Sequence, residues 1–171
     1  MSISPKFFKN ETIETVDAYS GGTHSVALSN EGKVFVWGQN AHGQLGLGDL
    51  KNKYAPIENE HLSNISQVAC GEYHTIAYSE KDQKVFSFGY GGSKLFGIPL
   101  VRDALGYSTN GNQTTPKEIE TLRGLNFVSI ASGLYHSGAV TDEGDIYMWG
   151  KGDWGRLGNG SHKSLVEPQK M

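Results

Sequence analysis

Four glycines, Gly38, Gly43, Gly46 and Gly48, fall within eleven positions of the stretch VFVWGQNAHGQLGLGD at 34–49. A glycine-dense loop is where backbone amides can converge on a phosphate, so nucleotide binding is the first chemistry to weigh. A phosphate cradle opens a helix, and in its commonest form it closes on Gly-Lys-Ser/Thr. Here no helical period follows and that tripeptide is absent, while comparable glycine-rich stretches recur near 89–97 and 150–158. The loop glycines are therefore expected to serve the backbone, admitting unusual φ angles and close strand approach, and no nucleotide or other cofactor is expected.

Three histidines, His24, His74 and His136, close the related hexapeptides YSGGTH, ACGEYH and ASGLYH. Their matched settings invite a metal reading. Equivalent positions of successive units, however, should stand too far apart to share one zinc ion at about 2 Å. Buried rings bonded to neighbouring polar groups are expected instead. His42, His61 and His162 have no partner cluster in the sequence. Cys70 aligns with Ser20 and Ser132, which marks a small-residue packing position rather than an activated thiol. The carboxylates of Glu31, Asp49, Glu72, Asp82, Asp103, Asp142, Asp145 and Asp153 are scattered and read as solvated turn residues. No catalytic residue and no metal ligand is expected.

The elements that hold these residues repeat. After each histidine comes a short apolar run (SVALS, TIAYS, SGAVT), then a charged turn, then an aromatic run closing on glycine: KVFVWG, KVFSFG, DIYMWG. The pairs Trp37-Gly38, Phe88-Gly89 and Trp149-Gly150 are thus equivalent, and Gly46, Gly97 and Gly158 follow eight residues later, each after Leu or Phe. A proline comes later in each unit, at Pro56, Pro116 and Pro168. Runs rich in Val, Ile, Phe, Tyr and Trp suit strands. Asn30-Glu31-Gly32 and Asp142-Glu143-Gly144 fit three-residue hairpins with a left-handed glycine, whereas Lys81-Asp82-Gln83-Lys84 is one residue longer and should turn differently. Three such four-stranded units point to blades of a β-propeller, with an open solenoid as the other arrangement. The boundaries are an N-terminal leader at 1–15 and a partial propeller at 16–171, divided near 16–66, 67–127 and 128–171.

Composition agrees. Twenty-three glycines in 171 residues is about twice the ordinary usage of ~7%, which favours turns over long helices. The net charge of −3 lacks the basic excess of a nucleic-acid-binding domain. No apolar run is long enough to span a membrane and MSISPKFFKN has no secretory core, so an intracellular protein is expected, nuclear, cytoplasmic or cytoskeletal.

Gly21 to Ser25, Trp37-Gly38, Asn40, Gly43-Gln44-Leu45-Gly46 and Pro56 together resemble the regulator of chromosome condensation repeat family. The resemblance implies a β-propeller, typically of seven blades, of which about three are present as an open arc. It also implies guanine-nucleotide exchange on a Ran-type small GTPase as one possible activity. That activity belongs to a complete ring, so the preferred expectation is a non-enzymatic interaction or scaffold module within a larger assembly. Its partners would be proteins, or further copies covering the ends of the arc. The segment 98–115, IPLVRDALGYSTNGNQTT, is specific to the second unit and is the expected partner loop, through Leu100, Arg102 and Tyr107. Trp154, in a polar loop of the third unit, is either a contact anchor or packed under its own loop. The tryptophans Trp37 and Trp149 are expected in the core, each contributing about 3–5 kcal/mol, and excision of 99–114 is expected to leave the fold nearly intact.

Overall fold

The repeated strand runs pair into three four-stranded antiparallel sheets in the computed structural model, which describes residues 15–95, 98–101, 104–109 and 111–171. The first sheet holds β1 (Thr15–Ser20), β2 (His24–Ser29), β3 (Val34–Gly38) and β4 (Lys53–Glu58) in that order. The second holds β5 (Gln67–Cys70), β6 (His74–Ser79) and β7 (Lys84–Gly89). A separate hairpin of β8 (Ser93–Leu95) and β9 (Ile98–Val101) follows before β10 (Gln113–Glu118) completes that sheet. The third holds β11 (Phe127–Ser132), β12 (His136–Thr141), β13 (Ile146–Gly150) and β14 (Leu165–Lys170). These are three blades of a partial propeller, and the described residues form an open arc.

Turn chemistry sets the registers. Gly32 (φ +75°) and Gly144 (φ +87°) take the left-handed position in the short β2–β3 and β12–β13 turns. The longer β6–β7 turn places Gln83 at φ +51° and is tied instead by Asp82, whose carboxylate accepts from Ser79 Oγ at 2.9 Å. Each aromatic-glycine pair ends its strand opposite the repeat histidine: Gly38 faces His24, Gly89 faces His74 and Gly150 faces His136.

Blades pack face to face. Val26, Leu28, Val34, Val36 and Leu45 of the first meet Val68, Ala77 and Phe88 of the second. Ile76, Tyr78, Val85 and Ile119 of the second meet Phe127, Ala139 and Trp149 of the third. Strand β6 is buried along its whole length because a blade covers it on each side, which erases the usual alternation of buried and exposed positions.

One polar device repeats at both interfaces. The Thr75 hydroxyl donates to Gln44 O at 2.8 Å, so it accepts from His24 Nε2 at 2.8 Å. The Ser137 hydroxyl donates to Ala104 O at 3.2 Å and accepts from His74 Nε2 at 3.0 Å. Each hydroxyl is thus held by a histidine and a loop carbonyl of the preceding blade, and both rings are fixed as Nε2–H tautomers. Burial holds His24 down at about 4 and His74 at about 3. Both rings stay neutral when folded but bind protons below 6.5 when unfolded. Stability is therefore fully present above 6.5 and is lost as pH falls toward the folded values, by on the order of 2 kcal/mol per histidine at about pH 5. Urea unfolding at neutral pH and at pH 5 checks this: the acid loss should shrink by on the order of 2 kcal/mol in His74→Gln. A midpoint independent of pH would refute it.

The second blade corrects the sequence alignment of its loop. Gly97 lies outside the described residues. The place of Gln44-Leu45-Gly46 is taken by Ala104-Leu105-Gly106: Leu45 and Leu105 are fully buried, Gly46 lies against Phe88, and Gly106 against Trp149. The glycines have φ +68° and +83°. Ala104 O receives both Ser137 Oγ and Trp149 Nε1, the latter at 2.8 Å. Excising 99–114 would therefore remove part of the interface with the third blade, contrary to the expectation of a dispensable loop. Trp37 also departs from expectation, being half-buried where Phe88 and Trp149 are fully enclosed.

Candidate functional site: the loop-rich face

The β1–β2, β5–β6 and β11–β12 turns share one edge of the arc with the β3–β4, β7–β10 and β13–β14 loops, because each histidine is paired with the glycine that opens the long loop. The opposite edge carries the short hairpins and the connections between blades. Long loops raised on rigid sheets are where binding surfaces form.

In the first blade this loop's backbone amides are held within the loop and by β10 of the second blade. Gly43 N donates to Asn40 O at 3.0 Å, Gly46 N to Gly43 O at 2.9 Å and Gly48 N to Thr114 O at 2.9 Å. His42 N and Leu45 N donate to the side-chain oxygens of Gln44 and Asn40. Buried Asn40 then donates to Asp49 through its amide. These amides close the loop and do not converge on a ligand, and a Cβ at Gly43 would meet Thr114 at 2.8 Å. Positive φ at all four glycines, with close backbone approach at Gly38 and Gly43, accounts for them.

Beside that loop stands an aromatic cluster. Tyr73, Tyr90 and Tyr135 form a near-equilateral triangle with ring centroids 6.2–6.3 Å apart. His42 meets Tyr73 and Tyr90 edge-on at 5.0 Å each. Tyr73 and Tyr135 immediately precede the repeat histidines, and Tyr90 follows the aromatic-glycine pair. Both positions rise from strand ends at the same edge. The Glu72 carboxylate raises the Tyr73 phenol above its ordinary value, so the phenol stays protonated. Desolvation lowers His42, which keeps its ring neutral. Lys151 lies 5.7 Å from the Tyr135 centroid and 2.9 Å from Asp153 Oδ2, adding a cation at the rim.

The residues singled out from sequence fall in different places. Leu100 sits on β9, and its side chain, like Arg102, lies outside the described residues. Tyr107 is half-buried: its phenol donates to Ser87 O at 3.0 Å and the Lys117 ammonium lies 4.4 Å from its ring centroid. Trp154 is 89% exposed and holds φ +63°, so it does not pack under its own loop. That backbone conformation is costly for a bulky side chain. Cys70 is half-buried, and burial pushes its thiol up to about 12, which suits packing rather than attack. Among the described residues no three His, Cys, Asp or Glu side chains are placed to hold a metal ion, and no helix is long and apolar enough to cross a membrane. The aromatic cluster itself was hidden, because His42, Tyr73, Tyr90 and Tyr135 come from separate loops of all three blades. The only local signal was Tyr before histidine in two of the three units.

The family model described as Regulator of chromosome condensation (RCC1) repeat matches residues 31–78, 82–140 and 143–171, and a second model of the same repeat matches 16–44 and 127–156. The chain belongs to the regulator of chromosome condensation repeat family. It is 37% identical over 154 residues to the ultraviolet-B receptor UVR8 of Arabidopsis thaliana, an overlap of 89% of this chain and 33% of that protein. It is 32% identical over 163 residues to the human E3 ubiquitin-protein ligase HERC2, covering 93% of this chain and 3% of that one. Among solved structures it superposes on yeast RCC1 (Prp20), determined with Kap60 bound, at a TM-score of 0.70 and 26% identity, covering 92% of this chain and 37% of the other. The chain thus spans about a third, or less, of the length of these relatives.

Proposed function

We propose that this chain is a non-enzymatic protein-interaction module that engages its partner through the loop-rich face. The observation that carries the reading is the cluster of Tyr73, Tyr90, Tyr135 and His42. It concentrates aromatic rings and phenol hydroxyls at one edge of a rigid sheet scaffold. Tyrosine is the side chain most suited to this, giving large contact area and a polar tip at low entropic cost. Exposed Trp154 extends the same contact surface in this reading, and Leu100 and Arg102 are retained as further contact residues.

Tyr73→Ala and Tyr135→Ala should each weaken partner binding about 30-fold, the scale of a hot spot worth about 2 kcal/mol, while leaving the thermal melt near that of the parent chain. Quantitative comparison of proteins captured by the parent chain and by the double variant is the test. An identical captured set, with equal yields, would sink the reading.

A second reading is exchange activity on a small GTPase. It is supported by the likeness to Prp20p, whose solved structure was reported with its binding properties to Gsp1p and histones (TM-score 0.68, 25% identity). Release of labelled guanine nucleotide from a Ran-type GTPase separates the two readings. The interaction-module reading expects no acceleration by this chain.

A further inference from the structure

We propose that the outward face of the third blade is the docking site for the first blade of a second copy of this chain. Each internal interface is built from two unlike halves, and both halves recur at the two ends of the arc, unmatched among the described residues.

The receiving half is a histidine, a loop of the form x-Leu-Gly and the glycine three residues before the histidine. In the first blade these are His24, Gln44-Leu45-Gly46 and Gly21; in the second they are His74, Ala104-Leu105-Gly106 and Gly71. The third blade holds the same set in His136, Arg156-Leu157-Gly158 and Gly133, with Leu157 buried and Gly158 left-handed at φ +74°. Among the described residues nothing packs on this set as the second and third blades pack on its counterparts. The Gly21 and Gly71 positions lie against the Gly71 and Gly133 carbonyls of the following blade, whereas a Cβ at Gly133 would meet only the His136 ring. Gly46 and Gly106 abut Phe88 and Trp149, but nothing lies within 4 Å of a Cβ at Gly158. His24 Nε2 and His74 Nε2 bond Thr75 and Ser137, whereas His136 Nε2 has no hydrogen-bond partner among the described residues. Ile146 is 46% exposed where its counterparts Val34 and Val85 are fully buried. It lines a hollow of about 260 Å³ with Val140 and Met148.

The inserting half is a hydroxyl and an aromatic ring on the opposite face of a blade. Thr75 and Phe88 supply it in the second blade, Ser137 and Trp149 in the third. The first blade carries the same pair as Ser25 and Trp37, matched in register across β2 and β3 and both half-buried. A second copy can therefore present Ser25 to His136 Nε2 and to the Arg156 carbonyl. Its Trp37 ring lies under Gly158, with Nε1 toward that carbonyl as Trp149 Nε1 is toward Ala104 O. Trp154 then takes the place that His42 has over Tyr73 and Tyr90, facing Thr23 and Gln39 of the copy. The occupant is a second copy because one chain carries both halves of an interface that it already makes twice. The contact is heterologous, head to tail.

The test is mass by light scattering after size exclusion, over a dilution series of the full chain. Ser25→Arg blocks the inserting end and Ile146→Asp the receiving end. The parent chain should show mass above 18.6 kDa that falls on dilution, and each variant alone should stay at 18.6 kDa. Their mixture should form a one-to-one dimer and nothing larger, since it retains one intact end of each kind. That rescue also shows that both variants are folded; Trp37→Lys and Val140→Lys provide a second pair. A parent chain monomeric at every concentration overturns the proposal, as does a mixture that stays monomeric, or variants that self-associate like the parent.

Discussion

Replacing Gly89 by alanine is expected to abolish cooperative folding. Gly89 closes β7 at φ +114°, a conformation that L-residues rarely adopt. A Cβ there would stand 2.3 Å from the carbonyl oxygen of Tyr73 and 2.7 Å from the Cα of His74. Both obstacles are backbone, so no side-chain rotation relieves them. The residue is paired with His74, whose ring holds Ser137 of the third blade. Opening this pair loosens the polar link between blades as well as the strand. Backbone strain costs about 1–3 kcal/mol. The clash adds to it, and separating β6 from β7 exposes core from both hydrophobic clusters. The sum reaches the about 5–15 kcal/mol that holds an ordinary domain together. Circular dichroism and thermal melting are the measurements. Gly111→Ala is the control, since a Cβ at Gly111 meets nothing within 4 Å, and it should melt with the parent chain. A Gly89→Ala protein with a parental melting temperature would show that the β6–β7 pairing is misplaced.

Trp149→Ala should cost about 3–5 kcal/mol, the range for truncating a large enclosed aromatic. The ring is 0% exposed, packs among Ile76, Tyr78, Val85 and Ala139, and donates from Nε1 to Ala104 O at 2.8 Å. Its loss leaves a cavity between two blades. Trp149→Phe separates the contributions: Phe88 fills the same place in the second blade, and Ala104 O keeps its bond from Ser137. That variant should lose only about 1 kcal/mol. Trp37→Ala, at the half-buried equivalent on the first blade, should cost clearly less than Trp149→Ala. Equal losses at the two positions in urea titration would mean that Trp37 is as enclosed as Trp149.

The repeat itself was legible because it rests on local chemistry. A turn needs its left-handed glycine, and a pleated strand needs its β-branched and aromatic residues. Gly32 and Gly144, the Trp-Gly pairs and the three histidines therefore announce blades at fixed spacing without any knowledge of distant contacts. The same local reasoning marked Gln83 as part of a different turn. It went astray at Gly97, where counting eight residues past the aromatic-glycine pair stopped short of Ala104-Leu105-Gly106. Spacing cannot detect that a hairpin has been inserted ahead of a repeated contact, because the chain pays little entropy for a longer loop.

The pairing of blades belongs to tertiary structure alone. Sequence could say that His24 and His74 are alike, but not that each ring reaches a hydroxyl 51 or 63 residues away on the next blade. It could flag Trp154 and the 98–115 segment as unusual, but not that Tyr107 is tied down while Trp154 stands in solvent. The tyrosine cluster depends on loops from separate blades meeting at one edge, and its residues are unremarkable in each loop taken singly. Local propensity is a property of a few neighbouring residues, so a sequence displays it directly. Which unlike faces meet is settled by the angle at which sheets stack, and that angle arises only when the whole set of blades buries its apolar faces together.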